Sequence, residues 1–488
     1  MKIGLEVHCQ LLTKTKLFCG CENGFSSEPN TRVCEYCIGL PGSKPRVNRQ
    51  AVEMALRIAT ALGCRIPKET FFSRKSYFYP DMGKNFQVTQ YEMPLATDGK
   101  LAAAGKEIRI KRINVEEDPA RIVHEGGSIT TASHVLVDYN RSGAPLCEIV
   151  TEPDFSGPKE ARLFLQELST MLQYLNAFNP DMEGSMRVDA NISLDQKDIL
   201  EKQSFSGSQR SAASLQTPGL KGSERVEIKN ISGFKDIEKA LEYEVVRQRT
   251  SYSRKKEIVQ ETRSWDAAAG VTRSIRTKEG EEDYGYIFEG DIPKIRVDAA
   301  MLKSIRETMP EFARDKVRKY ASMGIQEELA VSIASEPDLA EMFEKVIKTI
   351  DADFAARWFA GEIKKTLNFS NIRLKDTGIK ESHITRMLQL VYDRRITERT
   401  AEMLFRDMVK KPEDPEEMMK KSDVSIIHDE EKLEDIIKHV LSENSKALLD
   451  YKSGRKESFN FLVGQVMRKT QGRGDPVAIR KLLEQMLK

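Results

Sequence analysis

The chain has 488 residues, 40% hydrophobic and 31% charged, with 77 Lys and Arg set against 75 Asp and Glu for a net charge of +2. That length exceeds what one hydrophobic core normally supports, so two to four domains are expected. No apolar run approaches 18 residues, which excludes a transmembrane helix, and no signal peptide precedes the first patterned segment; a cytoplasmic protein with no membrane partner is expected.

From Ile3 to Leu12 apolar residues alternate with polar ones or glycine, the period of a half-buried strand, and Glu6 and His8 fall on one face. A carboxylate and an imidazole so placed suit a divalent cation or a proton-transfer site; a solvated polar face gives the same pattern. Four of the seven cysteines follow as Cys19-x-Cys21 and Cys34-x-x-Cys37, with twelve residues between the pairs. Reduced thiols in this arrangement point to a closed, structural, tetrahedral Zn²⁺ site in preference to four independent thiols. The run Arg74, Lys75, Tyr77, Tyr79, Asp81, Lys84 and Gln87 is able to hold a phosphate or stack a base, and equally to serve the core. A strand over Ile108 to Val115 leads into Glu116, Glu117 and Asp118, with His124 beyond, and Glu148 sits in a second strand, Leu146 to Val150. If these strands neighbour the first, Glu6, His8, Glu117 and Glu148 converge on a hard cation such as Mg²⁺; the competing reading is a salt-bridge network on exposed sheet edges.

A helix is predicted from Pro158 to Leu175 with Ser156 as N-cap, its apolar stripe covering a sheet. The strand Met186 to Leu194 turns Arg187, Asp189, Asn191 and Ser193 to one face. Val226 to Ile228 does the same for Glu227 and Lys229, before a helix over Phe234 to Tyr252 with Ser232 as N-cap. The Ser-, Gly-, Gln- and Lys-rich segment Gln203 to Glu224 reads as a mobile hairpin tip. Mg²⁺ beside the basic residues Arg187 and Lys229 is the equipment of phosphoryl transfer, yet the sequence carries neither a Walker A loop nor a kinase glycine loop, so a nucleotide site must be of another kind. Near Gly290 to Pro293 the pattern becomes helical, one helix holding Leu329, Ile333, Leu339, Met342, Phe343 and Val346. A linker rich in Pro and acidic residues, Lys410 to Glu417, precedes a final small helical module containing Phe459 to Lys469 and Pro476 to Leu487. From Tyr451 to Lys488 nine Lys or Arg face three acidic residues, against eight and thirteen from Arg406 to Asp450, so the terminal module suits a polyanion.

Taken together, Ile3-Gly4-Leu5-Glu6-Val7-His8, Thr15-Lys16-Leu17-Phe18-Cys19, Gly39-Leu40-Pro41-Gly42, Tyr77-Phe78-Tyr79-Pro80-Asp81, Glu116-Glu117-Asp118, Asp138-Tyr139-Asn140-Arg141 and Cys147-Glu148-Ile149-Val150 resemble the B subunit of the glutamine-dependent aspartyl/glutamyl-tRNA amidotransferases, the GatB/GatE family. So do Met186 to Asn191, Glu227-Ile228-Lys229-Asn230 and Gln260-Glu261-Thr262-Arg263, and the resemblance spans essentially the whole chain. It implies an α+β fold: an antiparallel-sheet catalytic cradle with packed helices over 1–292, a helical domain over 293–409 and a C-terminal tRNA-binding tail over 410–488. It further implies ATP-dependent conversion of the side-chain carboxylate of misacylated Asp-tRNA(Asn) or Glu-tRNA(Gln) to an acyl phosphate, which ammonia displaces. The ammonia comes from an amidase A subunit, in a complex completed by a small C subunit. Family roles fall on Glu6, His8, Glu117 and Glu148 as the Mg²⁺ and activation centre, with Glu116 able to substitute for its neighbour. Arg187, Asp189, Asn191, Glu227, Lys229, Tyr79 and Lys84 become nucleotide or substrate contacts. The four cysteines become a zinc knuckle found in part of the family, and Arg468, Lys469 and Arg473 become tRNA contacts of the tail. A zinc-stabilised tRNA-binding subunit without catalysis is the alternative. The chain departs from the family at Asp283 to Asp291, where an Arg and two prolines are missing; a more flexible loop is expected there.

Overall fold

A computed structural model describes the chain apart from residues 25, 27, 127–131, 183, 196–197, 199–222, 255, 278–284, 423–429, 471–473 and 488. The Ser/Gly-rich segment therefore lies almost wholly outside the described residues, as do Asp283, Tyr284 and Arg473. Two compact units result, Met1–Glu311 and Phe312–Lys488.

The first unit runs β1 (Lys2–Gln10), α1 (Arg49–Ala61), β2 (Glu69–Thr70), β3 (Ser73–Ser76), β4 (Phe86–Thr89), β5 (Ala96–Ala103), β6 (Lys106–Glu117), β7 (Arg121–Glu125), β8 (His134–Asp138) and β9 (Pro145–Thr151). It continues through α2 (Pro158–Tyr174), β10 (Met186–Ser193), β11 (Val226–Ile231), α3 (Phe234–Ser253), β12 (Glu261–Asp266), β13 (Val271–Thr277), β14 (Gly285–Phe288), β15 (Ile295–Arg296) and α4 (Ala299–Glu307). One eight-stranded sheet, in the order β13-β12-β11-β10-β1-β9-β6-β5, dominates it. Its neighbours are antiparallel except for β11 and β12. The sheet is two-sided in chemistry. Ile3, Leu5, Val7 and Cys9 of β1 are fully or almost fully buried, and α1, α2 and α3 pack on the sheet. The alternate residues, Glu6 and His8, belong to the opposite face, over which β3 and β4 bring a second, three-stranded sheet with β14.

Helix starts differ from the sequence expectation. Ser156 and Ser232 do not cap: α2 and α3 begin after Gly157 and Gly233, with no side-chain cap bond. Pro158 already lacks the first orphan N–H of α2, and at Gly233 the chain enters with φ of 96°, a conformation that favours glycine. The Ser156 N–H instead donates to Glu160 Oε2 at 2.8 Å. Helix α1, unforeseen in the sequence, is capped by Asn48, whose Oδ1 accepts from the Gln50 and Ala51 N–H groups at 2.9 and 3.3 Å.

The expected boundary near residue 292 also moves. β15 pairs with β2, and α4 packs on α1 with Arg57 donating to Thr308, so the chain up to Glu311 belongs to the first unit. In the second unit the helix expected through Leu329 and Val346 is two helices, Glu327–Ala334 and Pro337–Val346, because Pro337 cannot continue the first and sits at the start of the second. Phe343 stacks edge-on between Tyr320 and Phe359 in one core. A second core gathers Leu433, Ile437, Val440, Leu462, Val466, Ile479 and Leu483. There Arg468 and Lys469 end the helix Glu457–Lys469 exposed, and Lys469 pairs with Glu443 at 3.2 Å.

Candidate active site

Strand register carries a row of polar side chains across the middle of the large sheet. His8 lies opposite Glu148 on β9 and opposite Arg187 on β10; Glu6 lies opposite Asp189; Asn191 lies opposite Glu227 on β11. Glu6, Glu116, Glu148, Asn191, Glu227 and Lys229 line a cavity of roughly 930 Å³, together with Lys75, Arg112, Thr89 and the ring pair Tyr91 and Tyr286, which stack 3.9 Å apart.

Two carboxylate clusters occupy this face. In the first, His8 Nε2 stands 3.3 Å from Glu116 Oε1 and 3.8 Å from Glu148 Oε1. Asn114 Nδ2 donates to Glu148 Oε2 at 2.6 Å and Thr89 Oγ1 to Glu116 Oε2 at 3.2 Å. Burial opposes charge on His8, but the hydrogen bond to Glu116 and the fields of Glu116, Glu148 and Asp189 outweigh it and push the imidazole up to about 9. Burial likewise works against the Glu116 carboxylate, and the His8 contact overcomes it, holding its pKa below the ordinary value. Glu148 is pushed upward, first by burial and then by the charge of Glu116.

In the second cluster Glu6, Asp189 and Glu227 meet, but protein groups already answer their charge. Lys229 Nζ lies 2.5 Å from Asp189 and 3.2 Å from Glu227, Thr262 donates to Glu227, and Asn191 donates to Glu6 at 3.2 Å. Burial works against the Lys229 ammonium, but Asp189 and Glu227 prevail and raise its pKa. In the first cluster His8 lies between the two carboxylates, the fields of Lys75 and Arg112 also favour their charge, and Asn114 Oδ1 beside them is buried without a hydrogen-bond partner. Oxygen donors, one imidazole and an unsatisfied buried carbonyl fit a hard divalent cation at His8, Glu116 and Glu148.

Sequence reasoning and geometry part company at Glu117, Glu6, Lys84 and Tyr79. Glu117 does not reach this cluster. It is 2% exposed and pairs with Lys84, whose Nζ also donates to the Tyr36 hydroxyl at 2.9 Å; Glu117 Oε1 accepts from the Val88 N–H. Glu116 takes the position expected of Glu117, Glu6 belongs to the neighbouring cluster, and Lys84 lies with Glu117 away from the carboxylate row. Tyr79 is 59% exposed and does not line the cavity. Arg187 is held at 2.6 Å by Asp118, which the sequence marks only as a neighbour of the glutamates. The sequence reading leaves Asn114, Thr89, Thr262, Tyr91 and Tyr286 without a role. Asn114 is legible in principle, because it shares strand parity with Glu116.

The segment Asp283 to Asp291 holds a further correction. Where the loss of prolines predicts a loose loop, β14 pairs with β3, and the buried Glu289 carboxylate takes two 2.7 Å hydrogen bonds from Arg74.

The four cysteines do come together. Cys37 Sγ lies 3.6 Å from Cys19 Sγ and 3.8 Å from Cys34 Sγ, and Cys21 completes the group. Four thiolates about 2.3 Å from a tetrahedral ion stand about 3.8 Å from one another, so the spacing fits a Cys₄ metal knuckle.

Comparison with known proteins bears directly on this geometry. The GatB/GatE catalytic domain matches residues 1–303, and the GatB domain matches residues 341–487. The chain belongs to the GatB/GatE family. Curated relatives agree over nearly their whole lengths. The B subunit of the aspartyl/glutamyl-tRNA(Asn/Gln) amidotransferase of Methanospirillum hungatei is 42% identical, covering 99% of this chain and 98% of the relative. Those of Haloquadratum walsbyi and Thermotoga maritima, similarly named, are 41% and 38% identical over 99% of this chain and 96% and 98% of their own. The α+β reading of the sequence stands, and among the described residues no helix is long and apolar enough to cross a membrane.

Proposed function

We propose that this GatB/GatE family member is the catalytic B subunit of a tRNA-dependent amidotransferase. It uses ATP to activate the side-chain carboxylate of misacylated Asp-tRNA(Asn) or Glu-tRNA(Gln) and joins it to ammonia released from glutamine. The observation that carries this is the cavity lined by Glu116 and Glu148, which stand 3.3 and 3.8 Å from the His8 imidazole, and by the cations Lys75, Arg112 and Lys229. A carboxylate is a poor electrophile until phosphorylated, and phosphoryl transfer is governed by charge neutralisation and positioning.

His8, Glu116 and Glu148 would hold Mg²⁺, which supplies neutralisation of phosphate charge at the row. The cations lining the cavity attract and orient the polyphosphate of ATP. Asn191, held by Glu6, and Lys229, held by Asp189 and Glu227, remain as fixed groups to orient the substrate carboxylate and keep it from rotating away from the reacting phosphate. Acyl phosphate then loses phosphate to ammonia, which carries its lone pair to the acyl carbon and releases a proton. Ammonia comes from a separate amidase A subunit, with a small C subunit completing the complex. The four cysteines hold structural Zn²⁺, and the C-terminal helices, with Arg468 and Lys469 outermost, contact the tRNA backbone.

A protein that merely held tRNA would have no use for two buried carboxylates gathered on one imidazole at a cavity wall. The test is a reaction of the purified chain with its A and C partners, misacylated tRNA, glutamine and ATP, read as amide-charged tRNA by acid gel and amino-acid analysis. Glu148→Gln should abolish product and ATP-dependent activation with tRNA affinity intact. Failure of the wild-type chain in a reaction that the equivalent protein of a relative completes overturns the proposal.

A further inference from the structure

Lys16 is fully buried. Its ammonium donates to the carbonyls of Arg32 and Tyr139 at 2.8 and 3.2 Å and to Cys37 Sγ at 3.3 Å, so all three N–H bonds are directed at protein acceptors. Among the described residues no carboxylate forms an ion pair with it. A buried ammonium without an anion is strongly disfavoured, so its counter-charge must be close at hand.

The cysteine cluster supplies one. Cys37 is the vertex shared by the two short sulfur–sulfur distances, and its backbone carbonyl accepts from Ser142 Oγ at 3.0 Å. Four thiolates around a divalent ion carry a net charge of −2, and an ammonium fixed on one of them brings the group to −1. The same lysine reaches both sides of the knuckle: Arg32 lies in the loop between the two cysteine pairs, and Tyr139 in the turn after β8. Asn140 Oδ1, in that turn, accepts from the Arg32 N–H at 2.7 Å, so loop and turn are already laced together beside the lysine.

We infer that Lys16 is a positioning residue of the cysteine knuckle, holding Cys37 as a metal-directed thiolate through an N–H···S bond and supplying the charge that lets four thiolates gather around one divalent ion. The inference rests on reading the four cysteines as a metal site, and the two fail differently.

Co²⁺ is the probe, because thiolate coordination gives it an intense near-ultraviolet charge-transfer band and tetrahedral visible bands. The full-length wild type should take one Co²⁺ with the four-thiolate spectrum; if it takes none, the knuckle itself is refuted. Lys16→Gln and Lys16→Met should bind Co²⁺ at least tenfold more weakly in chelator competition and shift the charge-transfer band, while Lys16→Arg should recover part of both. A Lys16→Gln protein that unfolds cooperatively yet takes Co²⁺ with wild-type affinity and spectrum overturns the role of Lys16 and leaves the knuckle standing. Should neither neutral variant fold, the wild type decides. With ¹⁵N-labelled lysine and ¹¹³Cd²⁺ at the cysteines, a slowly exchanging ammonium signal coupled to cadmium is expected, and its absence refutes the contact.

Discussion

Glu116 and Glu117 are neighbours in β6 yet serve two different regions. Glu116 enters the cavity, where it shares one imidazole with Glu148. Glu117 goes to the other side of the strand, where Lys84 pairs with it and the Val88 N–H donates to its Oε1, while its Oε2 is buried without a hydrogen-bond partner. The cavity side gathers two carboxylates on one imidazole within an open lining of mixed charge, whereas on the far side one carboxylate meets one ammonium. What sets Glu116 apart as a functional candidate is that it lines a cavity beside a second carboxylate and an imidazole, which Glu117 does not.

The sharpest way to break this contrast is to neutralise each glutamate in turn. Glu116→Gln should lower amide transfer on the order of 10²–10³-fold, the usual range for removing one preorganised electrostatic group, while urea unfolding stays close to wild type. Glu117→Gln should do the reverse in stability. Leaving Lys84 buried and unpaired costs about 3–5 kcal/mol, read as a lower urea midpoint. If Glu117→Gln proved as stable as the wild type and as inactive as Glu116→Gln, the division between the two regions would collapse.

The sequence holds the clue to that division in a form that simple alternation hides. β1 alternates without interruption, so its period places Glu6 and His8 on the correct face. β6 does not: Ile108 and Ile110 are buried on one parity, Ile113 and Val115 on the other, and the pairing with β9 shifts register between Ile110 and Arg112. One irregularity flips every later side chain, which carries Asn114 and Glu116 to the cavity and Glu117 away from it. The apolar phase change from 110 to 113 marks the flip, but a strand read by its hydrophobic content alone passes over it. The strands Met186–Ser193 and Val226–Ile231 and the tail helices are legible by period. The joining of Glu6 to Asp189 and Glu227 depends on which strands neighbour which, a long-range property no local window contains.

The cavity and the tail make a second comparison, between a site of fixed buried groups and a surface of exposed ones. Reversing charge in the tail with Arg468→Glu and Lys469→Glu should weaken tRNA binding while leaving activity at saturating tRNA near wild type. The slope of log affinity against log salt should become shallower by about 0.7–0.9 for each phosphate that the tail no longer neutralises. Filter binding across a salt series reads this directly. An unchanged slope would remove the tail from the tRNA interface.

Helix starts give the smallest and most local contrast. α2 and α3 begin at glycines with no side-chain cap, while α1 depends on Asn48 for two jobs. Its Oδ1 accepts from the first turn, and its Nδ2 donates to the carbonyls of Thr15 and Lys16 at 3.0 and 3.3 Å, fastening the helix to the segment between β1 and the cysteine knuckle. Asn48→Ala removes both and should destabilise the first unit by about 1–2 kcal/mol, an N-cap deletion at the upper end of its range. Asn48→Asp keeps the cap acceptor and adds a charge that favours a helix N-terminus, but it gives up the two donors. If capping is the larger share, Asn48→Asp should recover most of the lost urea midpoint. If fastening is the larger share, Asn48→Asp should fall near Asn48→Ala and, unlike Gly157→Ala at the uncapped start of α2, should speed proteolysis between residues 15 and 48.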